Sequence, residues 1–318
     1  MSTITLDLEQ ALRSLQQQRV VAIPTETVYG LAADASAEEA VAQIFALKNR
    51  PRTHPLILHV APEWDLSPWV RQIPEYAQQL MNALWPGPLT LVLPAHDINP
   101  LITGGQSTVA IRAPQHPLAL ALLRRLGRPL VAPSANRFGK ISPTTAQHVH
   151  ESFLHDELLI LDGGRCTVGI ESTIILATSL DHYKILRHGL IDEACIVQHT
   201  SCTPINTPSN VRVSGALAHH YQPEKPLYYA EAIERTPSLS STYVLSFHDT
   251  FALGAPWHVQ LPRDASGAAY ELYYQLRRAD ASGATQILIE LPPPSPHWDA
   301  LRDRIMKAGA AWPTDQDI

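Results

Sequence analysis

Cysteine is scarce in this chain: Cys166, Cys195 and Cys202 are the only three in 318 residues, with no CxxC spacing among them. So few thiols, odd in number, exclude a disulfide framework and a cysteine zinc site, and they predict reduced thiols in a cytoplasmic protein. Long apolar runs are lacking as well. None approaches the ~20 residues that span a bilayer, so no membrane association is expected. The opening residues, with Asp7 and Glu9 and no basic-then-apolar start, do not read as a secretory signal. No GxxxxGKS/T loop, GxGxxG or HExxH occurs, which removes the P-loop, the dinucleotide fingerprint and the zincin motif. The 15 histidines form no Cys/His quartet, His219-His220 being the nearest to a cluster, so no metal site is expected. A net charge of -6 speaks against a dedicated nucleic-acid binder, whose footprint is usually basic.

What is present fits a globular α/β protein, 45% hydrophobic and 17% charged, long enough for one large domain and a small one. Short apolar runs predict buried strands, and hydroxyl, amide and basic residues recur at their ends. Val20-Val21-Ala22-Ile23 leads into Pro24-Thr25-Glu26-Thr27-Val28-Tyr29-Gly30-Leu31. A helical pattern from Glu38 to Leu47 ends in Lys48-Asn49-Arg50-Pro51-Arg52, and His54 to Val60 alternates as a strand. Trp85 to Leu93 and Thr108 to Arg112 follow. Pro129-Leu130-Val131 then runs into Ala132-Pro133-Ser134-Ala135-Asn136-Arg137-Phe138-Gly139-Lys140, closed by Ser142-Pro143-Thr144. Further on lie Asp162-Gly163-Gly164, Val168 to Ile175, and Ile185-Leu186-Arg187-His188-Gly189. Strand ends of open α/β sheets are where ligands bind, and the basic residues there point to an anion. Each piece alone also reads as ordinary structure: Lys48 and Arg50 as helix C-terminal charge, Arg112 as a surface residue after an edge strand, Ser142 as a helix cap.

Between Ile98 and His150 the chain has six basic residues (Arg112, Arg124, Arg125, Arg128, Arg137 and Lys140) and no acidic one. Such a stripe is expected to hold triphosphate, RNA or both. Composition changes near residue 200. Thr200 to Lys225 is rich in Ser, Thr, Pro and Asn and reads as a linker. After it, Thr242 to Phe247 and Gln286 to Leu291 read as strands, and Gly267 to Ala281 and Trp298 to Ala308 as helices with arginines on the exposed face. The expected organisation is a large domain over 1–200, a linker or lid over 201–227 and a small α/β domain over 228–318.

The ordered set over roughly residues 5 to 225 resembles the YrdC-like family, and within it the longer threonylcarbamoyl-AMP synthases with an extra C-terminal domain. The resemblance implies a twisted open mixed sheet with helices, plus a small Rossmann-like α/β domain. It implies synthesis of threonylcarbamoyl-adenylate and pyrophosphate from L-threonine, bicarbonate and ATP, with magnesium on the nucleotide and no other cofactor. The product would pass to a protein partner that modifies tRNA, with direct tRNA contact left open. Such a reaction needs no enzyme nucleophile; the protein holds three reactants together and neutralises charge.

Carried over residue by residue, Lys48 and Arg50 match the catalytic lysine-x-arginine clamp. Thr27, His59, Arg112, the backbone at Ala132, and Ser172 match the threonine site. Arg50, His54, Thr108, Ser134, Asn136, Ser142, Arg187 and Tyr221 match the nucleotide site. His54 stands where the family usually has Asn, and a histidine there brings a titratable contact. His219-His220-Tyr221-Gln222-Pro223 resembles the family's His-Tyr-Ala-Pro lid segment, with Gln222 for Ala, and Ser214-Gly215 stands for the usual Pro-Gly. Glu26 and Glu171 are candidate magnesium or amine partners. Two other readings remain open. One is a double-stranded RNA or tRNA-binding factor without catalysis. The other is the carbamoyl-adenylate chemistry of hydrogenase-maturation proteins, whose acylphosphatase and zinc-finger segments this chain lacks.

Overall fold

A computed structural model describes residues 1–215, 220–233, 237–248 and 255–313. The chain forms two compact units, residues 1–138 with 143–216, and residues 139–142 with 217–318. His219 of the lid-like segment lies outside the described residues.

The first unit is built on eleven strands: β1 (Thr3–Thr5), β2 (Val21–Ile23), β3 (Gly30–Asp34), β4 (Ile57–His59), β5 (Leu89–Pro94), β6 (Thr108–Arg112), β7 (Leu130–Val131), β8 (Leu159–Leu161), β9 (Thr173–Leu176), β10 (His182–Arg187) and β11 (Thr203–Pro204). They form one mixed sheet in the order β1-β8-β2-β3-β7-β4-β6-β5-β9-β10-β11. Most strands are short, because each apolar run is buried on both faces and ends where polar residues begin. In β2, Ala22 joins the largest core cluster, while Val21 and Ile23 join another on the opposite face, as the two-residue period of a strand requires. The alternation from His54 predicts too long a strand. Only Ile57–His59 pairs, because His54-Pro55-Leu56 turns back toward the preceding helix end, with His54 N–H bonded to Pro51 O at 3.0 Å.

Helix boundaries follow local chemistry. The helix Glu38–Lys48 has Glu38 and Glu39 in its first turn and Lys48 in its last, complementing the helix dipole, and Asn49 ends it in the left-handed conformation at φ 52°. Pro117–Leu126 opens on Pro117 behind a His116 cap and closes at Gly127.

The second unit carries β12 (Leu227–Ala230), β13 (Thr242–Ser246), β14 (Trp257–Gln260), β15 (Gln286–Glu290) and β16 (Ala310–Ala311), in the order β14-β13-β15-β12-β16. Every pairing is parallel, as the expected Rossmann-like architecture demands, although the strand order is its own. The helices Ala265–Ala281 and Asp299–Ala308 agree with the periodicity. The arginines do not all face solvent: Arg304 is buried, its guanidinium 5.2 Å from the Tyr221 ring centroid and ion-paired with Asp303 at 2.7 Å. Periodicity cannot separate a buried, paired arginine from an exposed one.

Candidate active site

The registers of β4, β6, β5, β9 and β10 align one row of residues across a single sheet face. His59 on β4 lies opposite Arg112 on β6. The β5–β6 register, which pairs Leu91 with Ile111, puts Thr90 beside Arg112, and Thr90 pairs with Ile174 on β9. On β10 a bulge between Ile185 and Arg187 sets Arg187 opposite Ile174. A bulge lets two consecutive side chains address one face, so Leu186 packs on the apolar cluster of Ile57, Val92, Ala110, Ile174 and Val213 while Arg187 joins the polar row.

Arg112 is 4% exposed and tightly held. Its Nη1 donates to Thr27 Oγ1 at 2.8 Å, its Nε to Gly87 O at 3.3 Å, and its Nη2 pairs with Glu26 Oε1 at 2.5 Å. Glu26 also accepts the Gln115 N–H at 3.0 Å. Glu26 thus holds Arg112 in place, a positioning contact beside its expected role as a magnesium or amine partner. Glu171 is buried. Ala132 reaches the row through its N–H, which donates to Ile57 O at 3.3 Å. The close passage of β3 beside it requires Gly30, where a Cβ would stand 3.0 Å from the Ala132 Cβ.

His59 Nδ1 lies 3.1 Å from Ile57 O. A carbonyl oxygen only accepts, so Nδ1 carries the proton and Nε2 keeps its lone pair. Burial, and secondarily the Arg112 charge, hold the His59 pKa down to about 3. In the unfolded chain His59 takes up a proton near pH 6.5, while the folded chain resists until about pH 3. Stability from this group is thus complete above pH 6.5 and is lost as the pH falls toward 3. Between pH 6.5 and 5 the loss is about 2 kcal/mol. Urea midpoints at pH 7 and 5 for wild type and His59→Phe are expected to show a steeper acid loss in wild type; equal slopes would refute a buried neutral imidazole.

The cations of the lysine-x-arginine pair are also buried. Lys48 is 1% exposed, and its Nζ donates to Ser134 O at 2.5 Å and Asn136 O at 2.6 Å. Phe138 N–H returns a bond to Lys48 O at 3.0 Å. Burial, then the charges of Arg50 and Arg137, hold the Lys48 pKa well below its usual value. Burial lowers Arg50 to about 10. The Arg50 Nη2 donates to Pro55 O at 2.9 Å and to Ser214 Oγ at 3.1 Å. Asn136 is 1% exposed and donates from Nδ2 to Arg137 O at 2.7 Å. His54 packs edge-on to Phe138, with ring centroids 5.2 Å apart. Burial first, then Arg50 and Arg212, lower its pKa, so the histidine at this position favours its neutral form.

Ser172 Oγ lies 2.7 Å from Thr90 Oγ1 and accepts from Arg187 Nη2 at 3.0 Å. Thr108 shares the face of Arg112 but starts the same strand, roughly 13 Å away at ~3.3 Å per residue. Ser142 and Tyr221 fall in the second unit. Tyr221 is 1% exposed with φ 64°, and its ring stacks on Tyr273 at 5.7 Å. Sequence reasoning missed Thr90 and Gly87, whose only signal is their place in the strand Trp85–Leu93, and left Ser214 without a role.

In the folded chain each basic residue of the stripe has a carboxylate neighbour. Arg112 pairs with Glu26, Arg124 with Glu63 at 2.8 Å, Arg125 with Glu9, Arg128 with Asp34 at 2.6 Å, Arg137 with Asp156 at 2.5 Å and Lys140 with Glu224 at 2.9 Å. Every one of the six charges meets a carboxylate from elsewhere in the chain, so the stripe presents no run of unpaired cations. Among the described residues no group of three His, Cys, Asp or Glu could hold a metal ion, and no helix is long and apolar enough to cross a membrane.

The chain thus carries a mixed-sheet α/β unit with buried cations and hydroxyls on one face, followed by a parallel-sheet unit. The family model described as "Telomere recombination" (Sua5_yciO_yrdC) matches residues 13–189, and "Threonylcarbamoyl-AMP synthase, C-terminal domain" matches residues 184–310. The chain is 37% identical over 331 residues to the threonylcarbamoyl-AMP synthase of Bacillus subtilis, covering 97% of this chain and 94% of that protein. It is 50% identical over 162 residues to that of Pyrococcus abyssi, where the match spans 51% of this chain and 48% of that protein. The crystal structure of P. abyssi Sua5 complexed with L-threonine superposes with a TM-score of 0.85 at 31% identity, covering 98% of this chain and 100% of that one. The chain belongs to the threonylcarbamoyl-AMP synthase family, in the long form with the additional C-terminal domain.

Proposed function

We propose that this enzyme joins L-threonine, bicarbonate and ATP into threonylcarbamoyl-adenylate and pyrophosphate, the first step of threonylcarbamoyladenosine formation in tRNA. The observation that carries the reading is the polar row His59–Arg112–Thr90–Arg187, together with the buried Lys48 and Arg50. Threonine docks by its carboxylate on Arg112, within reach of His59, Ser172 and the Ala132 backbone, and Thr27 fixes the guanidinium. ATP lies along Arg50, His54, Thr108, Ser134, Asn136 and Arg187. Bicarbonate gives up water to yield carbon dioxide, the threonine amine adds to its carbon and releases a proton, and the carbamate oxygen attacks the α-phosphorus as the α–β P–O bond breaks and pyrophosphate leaves. The chain contributes position and charge neutralisation, and no covalent enzyme intermediate is needed.

Magnesium enters on the triphosphate. Among the described residues no group of three His, Cys, Asp or Glu could hold a metal ion by itself, and Glu26 and Glu171 are the candidate partners of magnesium brought by the nucleotide. The scarce cysteines support a cytoplasmic location, and a protein partner is proposed to receive the adenylate. Lys48, Arg50, Ser134 and Asn136 at the family's spacing favour catalysis over the RNA-binder alternative, because RNA binding does not require that spacing.

Pyrophosphate release from ATP and bicarbonate, measured with L-threonine and with L-serine and checked for the adenylate by mass, tests the reading. Threonine-dependent release with the expected mass is the predicted result. ATP binding without release would overturn it.

A further inference from the structure

The segment that follows residue 210 reads in sequence as featureless linker, yet each of its residues 212–214 is fixed to the first unit. Gln106 grips the Arg212 backbone from both sides: its Nε2 donates to Arg212 O at 3.0 Å and its Oε1 accepts the Arg212 N–H at 2.7 Å. Arg212 Nη2 donates to Gly104 O at 2.7 Å. Val213 is 5% exposed and sits in the apolar cluster of Ile57, Val92, Ala110 and Ile174, on the same sheet face as the polar row. This anchorage sets the place of the next residue, Ser214.

Ser214 touches two buried arginines at once. Its hydroxyl accepts from Arg50 Nη2 at 3.1 Å and donates to Pro55 O at 3.2 Å, which is itself a second acceptor of Arg50 Nη2. Its carbonyl accepts from Arg187 Nη1 at 3.0 Å. Arg187 is held on its other side by Ser172, through Nε to the carbonyl and Nη2 to the hydroxyl, both at 3.0 Å. A continuous chain of hydrogen bonds therefore runs Thr90–Ser172–Arg187–Ser214–Arg50–Pro55. Both arginines are at least nine-tenths buried, so two like charges stand near one another with little water to screen them. The Arg50 Nε has no partner among the described residues. A guanidinium anchored at one nitrogen and open at another is set to receive an anion.

We propose that Ser214 is a positioning residue for the nucleotide end of the site, holding Arg50 and Arg187 at the fixed spacing that receives the phosphates, with Gln106 locking the strap that carries it. This rests on the assignment of Arg50 and Arg187 to ATP made above. Ser214 acts through the arginines and need not touch substrate. A strap that merely blocked the cations would predict the opposite sign on nucleotide affinity, so the two roles separate cleanly.

The test compares Ser214→Ala, Ser214→Thr and Gln106→Ala. Loss of one hydrogen bond to a charged group corresponds to about a tenfold effect. Ser214→Ala is expected to raise KM for ATP about tenfold with KM for threonine and the thermal midpoint nearly unchanged. Ser214→Thr, which keeps the hydroxyl, is expected to restore most of it. Gln106→Ala, which frees the strap without touching either arginine, is expected to move KM for ATP the same way. An unchanged or lowered KM for ATP in Ser214→Ala, or an equal rise for both substrates, would overturn the proposal. Calorimetry with a non-hydrolysable ATP analogue keeps the two hypotheses apart. Analogue affinity that falls in Ser214→Ala while wild type shows no threonine-dependent turnover supports the positioning role and rejects the proposed reaction. Turnover in wild type with equal analogue affinity in both proteins does the reverse.

Discussion

Replacing Lys48 with alanine is expected to lower the rate of pyrophosphate release by ~10²- to 10³-fold, the scale of removing one preorganised donor from developing charge, while the protein stays folded. The Lys48 ammonium ends the helix Glu38–Lys48 and ties the carbonyls of Ser134 and Asn136 together. Without it, two buried acceptors lose their donor, at about 1–3 kcal/mol. Part of that is offset because the folded chain no longer buries a charge, as the depressed Lys48 pKa indicates. Far-ultraviolet circular dichroism should remain that of the wild type. A kcat within a few fold of wild type would show that this lysine serves only the loop.

The second large effect is expected at Glu26, where stability should suffer most. The Glu26 and Arg112 side chains are 4% and 5% exposed and 2.5 Å apart. Glu26→Ala leaves an arginine charge in the interior with no carboxylate, and breaking such a pair costs about 3–5 kcal/mol. The urea midpoint should fall accordingly, and KM for threonine should rise because Arg112 loses one of the three groups that orient it. Glu26→Ala combined with Arg112→Met should recover much of the stability and none of the activity, since the double variant buries no unpaired charge. A Glu26→Ala protein as stable as wild type would mean that water reaches Arg112 and that the pair is not desolvated.

Local chemistry was enough to read much of the fold. Val21-Ala22-Ile23, Leu89 to Leu93 and Thr108 to Ile111 are strands because apolar and β-branched residues there have no helical period. The helix Glu38–Lys48 announces itself through acidic residues at its start and a lysine at its end. The residue types of the candidate site were equally legible, since Lys48, Arg50, Arg112, Ser134 and Asn136 stand in short ordered motifs. What those motifs could not supply was geometry. That His59, Arg112, Thr90 and Arg187 share one row depends on strand registers between segments far apart in the chain. One bulge on β10 decides which way Arg187 faces.

Charge shows the same division most clearly. The segment from Ile98 to His150 determined by itself that six cations would lie close in the chain. Tertiary structure alone decided that Glu9, Asp34, Glu63, Asp156 and Glu224 would come to the surface ones and Glu26 to the buried one. The same holds for Ser214, a linker serine by composition and a ligand of two arginines by position. Propensity, patterning and capping act over a few residues and so can be read from the chain. The field at a charge and the partner of a hydroxyl are set within a few ångströms in space, between residues that sequence keeps dozens of positions apart.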